Sequence, residues 1–169
     1  MMKVVLACAA VAVGGCATAL EAGVAPLVDT GGHVAGQGRA DGVAAMGGED
    51  AAYVDVGLGG GYRTREAADY ALASAEVGIM TGYDRVGALG LAYTPRFIDG
   101  APHRVRQAFG LHGRLLPLHD GAGKNALELG VGATVELELG GGEGTAAVFS
   151  LGLVGRWLTS DDRRVPFNF

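Results

Sequence analysis

The residues from Ala126 to Leu139 alternate between apolar and polar or small side chains. The apolar positions are Leu127, Leu129, Val131, Ala133, Val135, Leu137 and Leu139. A period of two over this length predicts a long β-strand with one apolar and one polar face. Soluble strands average about five or six residues, whereas a tilted strand needs about nine to eleven to cross a bilayer. The length of the strand therefore favours a membrane barrel.

Similar runs recur along the chain, separated by residues that favour turns. The segments 104–116 and 145–158 repeat the two-faced alternation, and clusters rich in glycine and aspartate separate many of the runs. We predict strands near residues 31–43, 51–63, 71–83, 86–97, 104–116, 126–139, 145–158 and 163–169. A helix over Thr64 to Glu76 is an alternative to the third strand, because this segment is rich in Ala and Glu. The sequence predicts an all-β fold, a small antiparallel up-and-down barrel of about eight strands.

Composition restricts the class of protein further. The chain has 31 glycines in 169 residues, is 49% apolar and carries a net charge of −5. The apolar content argues against a disordered glycine-rich linker. The acidic balance argues against a nucleic-acid partner, since phosphate binding needs a basic face. Only two lysines occur, Lys3 and Lys124, whereas a water-facing exterior normally carries many.

The second face of the strands indicates which side points inward. It carries glycine, small residues and isolated charges at Glu76, Arg106, Arg114, Glu128, Glu136, Glu138 and Arg156. Such a face suits the narrow lumen of an eight-stranded barrel. Buried charges must pair there, because breaking a buried pair costs about 3–5 kcal/mol. We predict ion pairs in the lumen that involve Arg106, Arg114, Glu128, Glu136 and Arg156, and apolar faces that contact lipid.

The N-terminus has the features of an export signal. Lys3 precedes an uncharged run from Val4 to Val13 that is too short to span a bilayer. The sequence Val13-Gly14-Gly15-Cys16 resembles the lipobox of bacterial lipoproteins. This resemblance implies a signal peptide over residues 1–15 and a lipidated Cys16. An alternative is cleavage after Ala17-Thr18-Ala19, which would leave an unlipidated chain.

A tether is expected to follow the lipidated cysteine. Residues 16–30 include small residues and Pro26 and show no periodicity, so we predict that they join the anchor to a barrel domain over residues 31–169. Cys8 lies inside the signal, which leaves Cys16 as the only thiol of the mature chain. No disulfide can therefore form within the mature protein.

The C-terminus resembles a second known signal. Val165, Phe167 and Phe169 alternate up to the last residue, which resembles the C-terminal signature of outer-membrane β-barrel proteins. That resemblance implies recognition by the barrel assembly machinery. Pro166 departs from the pattern, because proline cannot donate a hydrogen bond to a neighbouring strand.

Aromatic residues are placed near predicted strand ends. They are Tyr53, Tyr62, Tyr83, Tyr93, Phe97 and Trp157. This placement is expected of the aromatic girdles of membrane barrels. The alternative is that they are ordinary strand-forming residues.

Candidate catalytic and metal-binding residues are sparse. The four histidines, His33, His103, His112 and His119, do not have the spacing of metal ligands. His112 lies on the polar face and is a candidate lumen base of a lipid-modifying enzyme, but no motif supplies a nucleophile. We expect no catalytic activity, no metal and no cofactor.

The leading hypothesis is a monomeric β-barrel lipoprotein of a bacterial outer membrane, with membrane lipids as its partners and a structural or surface-interaction role. The second hypothesis is a lipid-anchored periplasmic barrel that is soluble and binds a small apolar ligand inside. The third is the lipid-modifying enzyme. The direction in which the apolar faces point distinguishes the first hypothesis from the second.

Overall fold

The computed structural model describes residues 17–46, 51–81, 87–99, 105–120, 126–140 and 144–158. The strands are β1 (Ala17–Asp29), β2 (Val34–Met46), β3 (Ala51–Arg63), β4 (Ala68–Thr81), β5 (Gly87–Ile98), β6 (Val105–Asp120), β7 (Leu127–Leu139) and β8 (Ala146–Leu158). Each strand pairs with the next in antiparallel orientation, and β8 pairs with β1. The predicted all-β, eight-stranded up-and-down barrel is confirmed. Within the described ranges, no helix is long and apolar enough to cross a membrane.

The segment predicted as a tether is the first strand of the barrel. β1 pairs with β2 along one edge and with β8 along the other. The tether prediction was wrong because small residues and Pro26 obscure an alternation in which Leu20 and Val24 point outward and Glu21 is buried. The closing contact is therefore made by β1. The strand predicted over residues 163–169 lies outside the described residues.

The remaining strands lie close to their predicted positions. The predicted strand 31–43 is β2 and begins three residues later than expected, at Val34. The helix considered for Thr64 to Glu76 does not form, since β4 begins at Ala68. A turn precedes β4, and in it Ala67 has a φ of 50°.

The three prolines in the described strands coincide with interruptions in strand pairing. The β1–β8 register skips Pro26 and its neighbour, and the β4–β5 register skips Pro95 and its neighbour. The β6–β7 register shifts at the position of Pro117. Proline has no N–H group and cannot donate a hydrogen bond to a neighbouring strand. It is therefore tolerated at positions where the regular pairing is already interrupted.

Two apolar clusters lie inside the barrel near its ends. We call the end at which β1 begins and β8 ends the terminal rim, and the other end the opposite rim. The cluster at the terminal rim contains Ala19, Val43, Ala45, Ala51, Tyr53, Met80 and Ala88, with Leu158 packed against it. A smaller cluster at the opposite rim contains Tyr70, Leu72 and Ile98. Charged side chains occupy the lumen between these clusters.

Candidate functional site: an apolar belt around a charged lumen

The outer surface of the barrel is an apolar belt. Large apolar side chains are exposed on every one of the eight strands, among them Leu20, Val34, Val54, Val77, Leu91, Leu111, Leu129 and Leu153. Among the described strand residues, exposed charged side chains occur only near the rims, at Asp69 and Asp120. The leucine-bearing faces thus point outward, as the small and charged residues on the opposite faces predicted.

The height of the belt matches the apolar core of a bilayer. β7 has 13 residues, and its outward side chains are apolar from Leu127 to Leu139. With a rise of about 3.3 Å per residue and a tilt of about 40°, such a strand covers about 30 Å along the barrel axis. The hydrocarbon core of a typical bilayer is also about 30 Å thick.

Most of the aromatic residues that were predicted to form girdles point outward on the apolar belt. The outward-facing rings are Tyr62, Tyr93, Phe97 and Trp157. Tyr53 contradicts the prediction, because it points into the lumen and its hydroxyl donates to the carboxylate of Glu76. Tyr83 lies outside the described residues.

The lumen contains most of the charged side chains of the strands. The buried acids are Glu21, Asp29, Asp41, Asp55, Glu76, Glu128, Glu136 and Glu138, and the buried arginines are Arg63, Arg96, Arg106, Arg114 and Arg156. Charged residues are almost never fully buried unless they are paired. Apolar side chains outside and charges inside are the reverse of a soluble barrel.

Glu138 is the centre of a group of ion pairs near the opposite rim. Arg63 lies 2.8 Å from its carboxylate, and Arg96 and Arg106 each lie 3.1 Å away. Arg63 and Arg106 each also lie 3.0 Å from Glu66 in the β3–β4 turn. Four strands (β3, β5, β6 and β7) and a turn are thereby linked through two carboxylates.

Arg96 connects this group to the middle of the lumen through a second ion pair with Glu136. Glu136 lies 3.1 Å from Nε2 of His112, and Nδ1 of the same ring lies 2.8 Å from Glu76. Glu76 also accepts a hydrogen bond of 2.9 Å from Nη1 of Arg114. The contacts cross the lumen from β7 through β6 to β4.

Arg114 continues the network towards the terminal rim. Its guanidinium pairs with Asp55 and lies 3.1 Å from Glu21. Arg156 then lies 2.7 Å from Glu21 and 3.4 Å from Glu128. A continuous series of ion pairs and hydrogen bonds thus extends from Glu138 to Glu128 along the lumen.

Glycines make room for these long side chains. A Cβ atom on Gly90 would lie 2.4 Å from the hydroxyl of Tyr53 and 2.6 Å from Oε1 of Glu76. A Cβ atom on Gly57 would lie 1.6 Å from Oδ1 of Asp41. The high glycine content therefore has a steric role in the lumen.

A small cavity remains beside the middle of the network. Its volume is about 50 Å³, and its lining includes Arg39, His112, Thr134 and Ser150. The hydroxyls of Thr134 and Ser150 are 2.7 Å apart. A cavity of this size with polar groups in its lining accommodates a few water molecules.

Five residues were predicted to form ion pairs in the lumen, and the structure places all of them within this network. They are Arg106, Arg114, Glu128, Glu136 and Arg156. Sequence reasoning missed Glu21, Arg39, Asp41, Asp55, Arg63 and Arg96. Glu21 was missed because β1 was assigned to a tether. The others are separated by two residues from buried neighbours in their strands. This spacing places them on the inward face and was the sequence signal that could have identified them.

The residues considered for chemistry have structural contacts. Both ring nitrogens of His112 lie against carboxylates. Nδ1 of His33 lies 3.0 Å from Asp29 in the β1–β2 turn. In the part of the chain that the structure describes, no three His, Cys, Asp or Glu side chains are grouped so as to hold a metal ion. Cys16 lies outside the described residues.

No family profile, curated protein or solved structure matches this chain. Its function is therefore inferred from the belt and the lumen.

Proposed function

We propose that the protein is a small β-barrel lipoprotein of a bacterial outer membrane, with a lipid on Cys16 and a structural or surface-interaction role rather than a catalytic one. The observation that carries the proposal is the apolar belt, which includes exposed large side chains on all eight strands. Contiguous exposed apolar surface of this kind marks a membrane or partner-binding surface.

The closed hydrogen-bonding pattern supports a bilayer environment. A sheet edge exposed to lipid would leave backbone N–H and C=O groups unsatisfied, so only closed barrels and helices span membranes. β8 pairs with β1, so none of the eight described strands has a free edge. The inward charges are also buried away from lipid.

The start of β1 supports the position of the lipid anchor. The strand begins at Ala17, directly after Cys16 in the sequence. An acyl group on Cys16 would therefore join the barrel at the terminal rim, without an intervening tether. Lipidation, the C-terminal assembly signal and a monomeric state remain predictions from the sequence.

The soluble alternative receives no support from the lumen. A periplasmic barrel that holds an apolar ligand requires an apolar interior, because such pockets are lined mainly by hydrophobic side chains. The middle of this lumen is lined by ion pairs, including those of Glu76, Arg114 and Glu136.

The test is the behaviour of the full chain in a Gram-negative host. We expect the mature protein to resist carbonate extraction, to migrate differently on gels before and after heating, and to carry an acyl mass on Cys16. A matched chain in which a non-lipoprotein export signal replaces residues 1–16 should lose the acyl mass but keep the heat-dependent migration. Recovery of that matched chain in the buffer-soluble fraction would overturn the membrane proposal. An unacylated full chain that stays in the membrane would overturn only the lipid anchor.

A further inference from the structure

His112 is buried in the middle of the lumen with both ring nitrogens against carboxylates. Nδ1 lies 2.8 Å from Oε2 of Glu76 on β4, and Nε2 lies 3.1 Å from Oε1 of Glu136 on β7. A neutral imidazole has one N–H donor, whereas an imidazolium has two. A neutral ring would direct a lone pair at one of the two carboxylates. Both contacts are hydrogen bonds only when both nitrogens carry protons.

Arg39 on β2 is placed as a second partner for the same ring. Its Nη1 lies 3.3 Å from Nδ1 of His112, while its Nε donates to Asp41 at 2.7 Å. A protonated Nδ1 cannot accept a hydrogen bond, but an unprotonated one can. Arg39 is therefore positioned to donate to Nδ1 once the ring has lost its proton from that nitrogen.

The surrounding groups allow this exchange of partners. Glu76 keeps the hydrogen bonds from Tyr53 and Arg114 when it loses His112, and Glu136 keeps Arg96. The cavity of about 50 Å³ is lined by both Arg39 and His112, which gives the side chains space to move and water a place to exchange protons. The other charged groups near the ring are Glu21, Asp41 and Arg114, which line the same cavity, and Asp55, which pairs with Arg39 and Arg114.

We propose that His112 is a proton-dependent link in the lumen. As an imidazolium it joins β4 and β7 through Glu76 and Glu136. After deprotonation, Nδ1 accepts from Arg39 instead and the contact with Glu76 is lost. The link stabilises the barrel at low pH, and its contribution falls as pH rises through the deprotonation of the ring. This inference does not depend on the lipid anchor or on the membrane location.

The first test is the protonation state of the ring in the refolded full chain. Nitrogen NMR of ¹⁵N-histidine-labelled protein in detergent micelles measures each ring nitrogen separately, and His112→Gln identifies the signals. We expect both nitrogens of His112 to be protonated at about pH 7, and Nδ1 to lose its proton first as pH rises. A ring with a single protonated nitrogen at neutral pH overturns the proposal.

The second test is the dependence of stability on pH. Urea unfolding measures the stability of the wild type between about pH 6 and 10. As pH rises over this range, the ratio of folded to unfolded protein should fall about tenfold or more, because a hydrogen bond to a charged group has an energy of this scale. His33→Gln, a change in the β1–β2 turn, should keep this profile. His112→Gln should flatten it, and Arg39→Gln should make it steeper. If His112→Gln does not fold, a wild-type stability that is unchanged by ring deprotonation still overturns the proposal.

Discussion

The guanidinium of Arg156 on β8 lies 2.7 Å from the carboxylate of Glu21 on β1, across the junction at which the barrel closes. The two residues are also partners in the β1–β8 register. Glu21 lies 3.1 Å from Arg114 as well, which connects the junction to the middle of the lumen. Closure is therefore specified by a buried charge pair in addition to backbone hydrogen bonds.

Removing one partner of this pair should destabilise the barrel strongly. We predict that Arg156→Leu lowers the free energy of unfolding by about 3–5 kcal/mol, because it leaves buried carboxylates with fewer partners. The double variant with Glu21→Leu should lose less than the sum of the two single losses. Urea unfolding in lipid vesicles measures all three variants. Strictly additive losses would contradict coupling across the junction.

Gly90 should be required for the contact between Tyr53 and Glu76. We predict that Gly90→Ala lowers stability by about 1–3 kcal/mol, since the added methyl group overlaps the Tyr53 hydroxyl and the Glu76 carboxylate. Gly36→Ala is the matched control, because nothing lies within 4 Å of a Cβ atom there. Adding Tyr53→Phe should restore part of the loss in the Gly90 variant. Equal unfolding midpoints for the two alanine variants would contradict the proposed steric role.

The two ends of the chain should differ in their importance for folding. A chain that lacks residues 17–29 loses the strand that pairs with both β2 and β8, so we predict that it does not refold in detergent. A chain that lacks residues 163–169 keeps all eight described strands and should refold with the same heat-dependent gel shift. A folded barrel from the first deletion would show that β1 is dispensable, as a tether would be.

The sequence predicted the fold class because long strands such as β7 alternate clearly. It predicted the direction of the apolar faces because the opposite faces carry small residues and isolated charges. It failed at β1, where small residues and Pro26 hide the same alternation. The orientation of Tyr53 also could not be predicted from its position near a strand end. Successive residues of a strand face opposite sides, so a shift of one residue decides whether a side chain points into the lumen or outward.

The partners of the lumen charges depend on the closed geometry. Arg39 and His112 are 73 residues apart in the sequence, and the curvature of the barrel brings them together. Alternation assigns each residue to a face but does not say which strands lie across the lumen from one another. The individual ion pairs therefore required the structure.

The most direct test of the membrane belt is a pair of arginine substitutions at equally exposed leucines. Leu91 near the middle of β5 is 64% exposed, and Leu118 near the terminal rim is 65% exposed. In a bilayer, Leu91→Arg should lower the free energy of unfolding by about 2–4 kcal/mol and Leu118→Arg by no more than about 1 kcal/mol. Unfolding in lipid vesicles measures both values. Losses within about 0.5 kcal/mol at both positions, as expected for a surface in water, would contradict the account.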